Sequence, residues 1–568
     1  MKPIESHSTA KITAKVTREE QAAHEVGHTE FAPGARTVLV VGFLMVLLSV
    51  PLVQFVTAIR HTEPLVRLAA GFREMVPSAA RVRAVDSVNS ATNLLPSAQQ
   101  IKTLEENWEQ SSVVGEALLP SIQSLLLGLG QGNEKAYPGR GGWLFYRADL
   151  DYVTGPGFLD ARRLRARSLT PSAPQPDPRQ AVLQFAAQLR ERGILLVLVP
   201  TPVKPMIEPE RFSRVFTRGS PLLNNPSYAQ FVAEMQAAGV LVYDSSKILW
   251  QAKQSSGQAR YLETDTHWTP ETMEQAASGL TALLRSHLPG GLPTVAYQRE
   301  TQSVTNLGDV AGMLRLPAGQ QLFKPQSVTI HPVVREGGAL WRPEPTAKIL
   351  VLGDSFCNIF SLAAMGWGEA SGFVEQLSFG LQQPVDALLR NDAAAYATRA
   401  MLAQELARGH DRLEGKLIVV WQFAARELAL GDWKRIDLKL GKSSPSQFVT
   451  MKEGGLAMVS GRIEAAAPAP RPGTVPYKDH IVAIHLTDIQ SDDPALKGGE
   501  ALVYAWSMRD NIWTTAARCT PGQVVGIKLQ PWADVEAKCN RINRAELGDS
   551  TLLIQEPCWG EFTQDIKP

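Results

Sequence analysis

The stretch Ala347-Lys348-Ile349-Leu350-Val351-Leu352-Gly353-Asp354-Ser355-Phe356 decides the fold. Four apolar residues in succession, Ile349 to Leu352, closed by a glycine, read as a strand buried on both faces. Strands of that kind belong to parallel sheets covered by helices. Gly353 permits a tight turn at the strand's end. Asp354 and Ser355 therefore fall at the carboxyl edge of the sheet, where open α/β folds take their ligands. A helix opening after Ser355 aims its free N–H groups at an anion. The same residues also suit a plainer role, an Asp or Ser capping an ordinary helix.

The neighbouring sequence repeats the alternation. A helical pattern from Arg179 runs to Gly193 and is followed at once by the apolar run Ile194–Pro200. A helix near Tyr228–Ala238 precedes Leu241–Asp244, a helix is expected over Glu271–Leu288, and Lys416–Phe423 supplies another strand. Helices between buried strands predict an α/β domain with a largely parallel sheet over residues 131–440. Beyond residue 440 the texture changes to short β-type runs, His480–Leu486, Ala501–Met508 and Gln523–Trp532, between Pro- and Gly-rich turns. That spacing predicts a small β-barrel or sandwich over 441–568. Its Trp506, Trp513, Trp532 and Trp559 fit either a core or a surface that stacks on sugar rings.

At the other end, the 23 residues between Arg36 and Arg60 carry no charge. A helix of that length spans roughly 35 Å, enough for a bilayer core, so 37–59 are expected to form a transmembrane anchor. The preceding 36 residues are too many and too polar for a signal peptide's short basic region. They are expected to form a tail, and residues 60–130 a helical stalk. The flanking charges leave the orientation open, because Lys11, Lys15, Arg18 and Arg36 face Arg60, Arg67 and Arg73.

The 568 residues hold 57 Lys and Arg against 56 Asp and Glu, which argues against nucleic acid as a partner. Four cysteines without a Cys-x-x-Cys pair argue against a zinc ribbon or a disulfide scaffold. Scattered histidines, and Gly-rich runs that lack the Lys-Ser/Thr of a phosphate loop, leave no cofactor and no metal expected.

A serine hydroxyl needs a base. His267 alone among the histidines past the apolar run has a carboxylate two residues before it, in Thr264-Asp265-Thr266-His267-Trp268. In an extended segment Asp265 and His267 share a side, so the carboxylate can orient the ring toward Ser355. A cap for the following helix, supplied by Asp265 or Thr269, is the plainer alternative.

Taken in order, Gly139–Tyr146 (GRGGWLFY), DTHW, Asn306–Leu314 (NLGDVAGML), GDSF and Val419–Arg426 (VVWQFAAR) resemble the alginate O-acetyltransferase family, SGNH-like proteins that acetylate exopolysaccharide. The resemblance implies a circularly permuted, flavodoxin-like SGNH domain, with Ser355 as nucleophile, His267 as general base and Asp265 as its orienting partner. Gly308, Asn306, Gln422 and Arg426 become candidates for oxyanion or substrate contacts, although the family often has an acidic residue where this chain has Gln422. It further implies a single-pass protein of the bacterial inner membrane, its tail cytoplasmic and its catalytic domain periplasmic. Acetyl would come from a membrane-bound O-acyltransferase partner and go to a polysaccharide. An acetylesterase using the same triad and a non-catalytic polysaccharide-binding scaffold remain open.

Overall fold

A computed structural model describes residues 32–60, 101, 113–170, 175–217, 219–441, 448–473, 475, 477–547, 550–553 and 555–563. The central sheet contains β1 (Leu195–Thr201), β2 (Leu241–Val242), β3 (Ile349–Gly353), β4 (Asp386–Leu389) and β5 (Ile418–Ala424), in the order β4-β3-β5-β1-β2. Every pairing in it is parallel. The strands of residues 195–201, 349–353 and 418–424 lie where the apolar runs placed them. β4 was not anticipated, because four residues with an aspartate at their head give too weak a pattern.

Helices α1 (Pro178–Arg190), α2 (Pro270–Arg285), α3 (Ser355–Asn358) and α4 (Phe373–Leu381) follow local rules. Asp177 caps α1 by accepting from the N–H of Arg179, with Pro178 at its first turn. Thr269 caps α2 by accepting from Thr272, with Pro270 following. The buried face of α2 runs through Met273, Ala276, Ala277, Leu280 and Leu284.

β5 is central in the sheet, and all seven of its residues are buried. Trp421 packs edge-on against Phe185 of α1 at 5.6 Å and against Trp433 at 5.4 Å. The Arg399 guanidinium lies 4.5 Å over its ring. A flat, buried indole in this position spaces the sheet from its covering helix.

The carboxyl-terminal strands β6 (Ala457–Ala466), β7 (His480–Ser491), β8 (Ala501–Arg509), β9 (Val524–Pro531) and β10 (Pro557–Phe562) run in the order β8-β10-β9-β6-β7. β7 pairs back onto β8, so the five strands close into a barrel, which removes their free edges. Trp532 and Trp559 are buried in its core, while Trp506, 5.4 Å from Trp559, and Trp513 are half-buried. Four exposed stacking platforms are therefore not what the fold provides. All four cysteines carry free thiols.

The barrel meets the α/β domain close to the turn that carries Ser355. Arg541 pairs with Glu375 at 3.0 Å and also bonds Ser361. The N–H of Asn391 donates to Asn543 Oδ1 at 3.0 Å, and Arg390 donates to the carbonyl of Arg544.

Pro33–Arg60 form one 28-residue helix that contains the uncharged run. Among the described residues no helix is long and apolar enough to cross a membrane; the side chains of 54–60 and several others in this helix lie outside the described set. Most of the expected tail and, within the expected stalk, residues 61–100 and 102–112 also lie outside it. Val113–Gly128 are helical.

Replacing Trp421 by Ala should leave a cavity between α1 and β5 and destabilise the α/β domain by about 3–5 kcal/mol. Urea unfolding followed by circular dichroism measures it; an unchanged midpoint would show that Trp421 does not organise this layer.

Candidate active site

Three chain segments meet at the carboxyl edge of the sheet. The first is the turn after β3. Asp354 caps α3 by accepting the N–H of Phe356 at 2.9 Å, and it also accepts the N–H of Ala424 at 2.6 Å and Gln422 Nε2 at 2.9 Å. The turn is thus bolted to β5 from both of the aspartate's oxygens. Ser355 stands at the first position of α3, 4% exposed. Among the described residues its backbone N–H has no hydrogen-bond partner.

The second segment is a tight excursion before α2, closed by the bridge between Tyr261 and Trp268 and by the N–H of Leu262 donating to the carbonyl of His267. Residues 263–267 bend rather than extend. Asp265 and His267 therefore meet through a turn: Asp265 Oδ1 accepts both the backbone N–H of His267 at 3.1 Å and its ring Nδ1 at 2.7 Å. The Asx-type turn replaces the strand geometry expected from the spacing. Lys204 holds this excursion from below, its Nζ donating to the carbonyls of Leu144, Glu263 and Asp265 at 2.6–3.0 Å.

His267 Nε2 lies 2.8 Å from Ser355 Oγ. Asp265, His267 and Ser355 are so brought into one buried hydrogen-bonded chain across a sequence separation of 88 residues. The Phe356 ring packs edge-on to the imidazole at 4.8 Å and limits its rotation.

The third segment is the NLGD loop. Gly308 adopts φ +92°, a region that suits glycine, and a Cβ there would lie 2.6 Å from the carbonyl oxygen of Thr264. This close approach lets the N–H of Asp309 reach Asp265 Oδ2 at 3.0 Å. Trp367 Nε1 donates to the same oxygen at 2.9 Å. Burial pushes the Asp265 carboxyl upward, but the donors from His267 and Trp367 outweigh it and hold the group down at about 2. Burial alone would lower His267; its bond to Asp265 reverses this and raises it. Both oxygens of Asp265 and the Nδ1 of His267 are committed to these bonds, so the cluster works as a hydrogen-bonded chain.

The other expected contacts divide. Gly308 touches the Asp265 segment through its backbone. Asn306 turns to the carbonyl of Met365 at 3.3 Å and ties its loop to the one that carries Trp367. Arg426 is paired with the buried Asp149 at 2.9 Å, its guanidinium 5.8 Å from the Phe356 ring. Gln422 is not a substrate contact. It is 1% exposed; its Nε2 donates to Thr201 and Asp354, and its Oε1 accepts the N–H of Asp354 at 2.8 Å and the thiol of Cys357. It braces the serine turn instead, a role no sequence pattern announced. Trp367 was also missed, since its partner lies 102 residues away.

A serine, a histidine and a carboxylate linked in this way at the carboxyl edge of a parallel sheet have the arrangement that serine acyl transfer requires. The chain belongs to the family described as SGNH hydrolase-like domain, acetyltransferase AlgX, which matches residues 136–425, about half its length. It is 31% identical over 180 residues to the probable alginate O-acetylase AlgJ of Pseudomonas aeruginosa, covering 31% of this chain and 40% of that protein. It is 32% identical over 160 residues to the protein of the same name from Pseudomonas putida, covering 27% and 40%. The chain thus spans about 40% of the length of these curated relatives. The solved O-acetyltransferase domain of Pseudomonas putida AlgJ aligns at 22% identity with a TM-score of 0.40, over 52% of this chain and 93% of that one.

Gly308→Ala should strain the loop by about 1–3 kcal/mol and displace Asp265. The expected outcome is a lower melting temperature together with weaker hydrolysis of 4-nitrophenyl acetate; full retention of both would mean that the loop does not need glycine.

Proposed function

We propose that the chain is a polysaccharide O-acetyltransferase that works through an acetyl-serine. The observation that carries this reading is His267 placed with Nδ1 on Asp265 and Nε2 2.8 Å from Ser355 Oγ, in a member of an acetyltransferase family. Ser355 Oγ attacks the carbonyl carbon of a donor acetyl ester while His267 Nε2 takes its proton. The bond from that carbon to the donor oxygen breaks, and the imidazolium returns the proton to the leaving oxygen. In the second half, a sugar hydroxyl gives its proton to Nε2 and bonds to the acetyl carbon. The bond to Ser355 Oγ then breaks, and the proton passes back to Oγ. The unpaired N–H of Ser355 is the first donor for the tetrahedral oxyanion, and the Gly308 loop borders the same site.

Asp265 stabilises the imidazolium and stays ionised through both halves. Its low proton affinity serves that role, since a carboxyl that took the proton itself would release the ring from its orientation.

The uncharged run within helix Pro33–Arg60 anchors the chain in the bacterial inner membrane, with the catalytic domain in the periplasm. The acetyl donor is delivered across the membrane by a membrane-bound O-acyltransferase.

Incubation with an acetyl ester followed by peptide mass spectrometry should place one acetyl group on Ser355. Ser355→Ala should remove it and reduce transfer to an oligosaccharide by about three orders of magnitude or more. Acetyl passing only to water would make the chain an esterase, and full polysaccharide acetylation with Ser355→Ala would leave it a scaffold.

A further inference from the structure

A second carboxylate lies beside the Asp265–His267 pair, and the mechanism above makes no use of it. Asp309 opens the helix Asp309–Met313 directly after Gly308, and its side chain is 6% exposed. Its Oδ1 accepts the backbone N–H of Thr266 at 2.7 Å, its own N–H donates to Asp265 Oδ2 at 3.0 Å, and its Oδ2 stands 3.9 Å from His267 Nδ1. The Asp309 segment and the Asp265–His267 segment are laced together by further bonds: Ala311 N–H to the carbonyl of Thr264 at 3.2 Å, and Thr264 Oγ1 to the carbonyl of Leu307. The carboxyl group is therefore fixed on the residue between the two members of the pair, and it faces the ring nitrogen that Asp265 already holds.

The two carboxylates are supplied with donors unequally. Asp265 accepts from His267 twice, from Trp367 and from Asp309. Asp309 is supplied by Thr266 alone, whose N–H bonds its Oδ1 at 2.7 Å and whose hydroxyl also favours the carboxylate, while its Oδ2 faces the ring at a distance too long for a hydrogen bond. Two anions cannot share one buried pocket without cost, and the one with fewer donors holds the proton.

From this geometry we propose that Asp309 is a positioning residue with an electrostatic function. It fixes the backbone that presents His267, and it acts as a proton-exchanging carboxylate whose ionisation follows the charge on that ring. When His267 is neutral, Asp309 keeps its proton more readily. An imidazolium at His267 lowers the proton affinity of Asp309, so at a pH where Asp309 has already given its proton to bulk solvent its carboxylate adds to the stabilisation from Asp265 during acetyl transfer. The inference rests on the reading of His267 as the base.

Burial first, and then the charge of Asp265, push the Asp309 carboxyl well above the usual carboxylate range. Other charged and titratable groups face the cluster. Lys204 lies below Asp265 and is pushed down to about 8 by burial. Tyr146 feels the charge of Asp309 and is raised, chiefly by burial. Arg426 opposes protonation of His267. None of these three bonds to the Asp309 carboxyl, so a substitution at Asp309 leaves their own contacts in place.

The sign follows. An ionised Asp309 favours the imidazolium, so removing that charge lets His267 lose its proton at lower pH. Asp309→Asn keeps an oxygen for the Thr266 N–H and keeps the backbone donor to Asp265. In the full-length chain, with 4-nitrophenyl acetate as the probe, the acid limb of kcat/KM should move down by roughly one pH unit. At pH 8, kcat should fall roughly ten-fold. The second measurement needs no turnover: the 15N imidazole shift of His267, assigned by its loss in His267→Ala, should titrate in two coupled steps in the unaltered chain and in one step in Asp309→Asn. A uniform loss of activity with the acid limb unmoved, or a single-step imidazole titration in the unaltered chain, would overturn the proposal. If Ser355→Ala keeps full activity while the two-step titration is seen, the catalytic reading fails and the coupling of Asp309 to His267 stands.

Discussion

The arrangement depends on one buried anion. Asp265 is 1% exposed and would be expensive to ionise at that depth, yet it is held ionised by four donors: the backbone and ring N–H groups of His267, the indole of Trp367 and the backbone of Asp309. Each donor comes with a piece of structure attached. The turn at 265–267, the loop before Trp367 and the Gly308 loop converge because the carboxylate needs them, and each in turn aims it. A carboxylate held this firmly fixes the tautomer and the direction of the imidazole, so Nε2 has one place to point.

The serine side of the site is organised on the same plan by a second aspartate. Asp354 bonds to α3 and to β5, and Gln422 closes the loop by bonding to Asp354 through both its amide atoms. The central strand therefore positions the serine turn although it contributes no reacting atom. A carboxamide suits this position because it both donates and accepts, whereas an ionised carboxylate would only accept and would face Asp354 with a like charge. The barrel reaches the same neighbourhood through Arg541, which bonds to Ser361 just beyond α3 and to Glu375 of α4, and through Asn543, which bonds to Asn391 just beyond β4.

Much of this was legible from the residues. The apolar runs at 195–201, 349–353 and 418–424 are buried parallel strands because nothing else hides so continuous an apolar sequence in so few residues. The short β runs past residue 440 form a barrel, but the alternating strand Ala457–Ala466 and the closing strand Pro557–Phe562 were hidden by flanking turns and a short length. The spacing points to Asp265, His267 and Ser355 as neighbours, and they are hydrogen-bonded, but the local shape at 265–267 is a bend that uses an Asx-type bond and not a strand. Gln422 was placed at the site, but on the wrong side of it: its neighbours across β3 and β1 occupy all its hydrogen bonds, and strand alternation alone does not say which face meets substrate.

The amino-acid order by itself determined many of the strands and helices and singled out Asp265, His267 and Ser355 as candidates, because periodicity, glycine turns and caps act over a few residues. Only the tertiary structure decided how that chemistry is held: which oxygen of Asp265 meets Trp367, why Gly308 must be glycine, that Arg426 is paired with Asp149, and that Asp309 sits 3.9 Å from the ring. Those contacts join residues far apart in sequence, so they exist only once the sheet has brought its loops to one edge. Hydrogen bonds and buried charges are decided at distances of 3–4 Å, and that precision comes from packing.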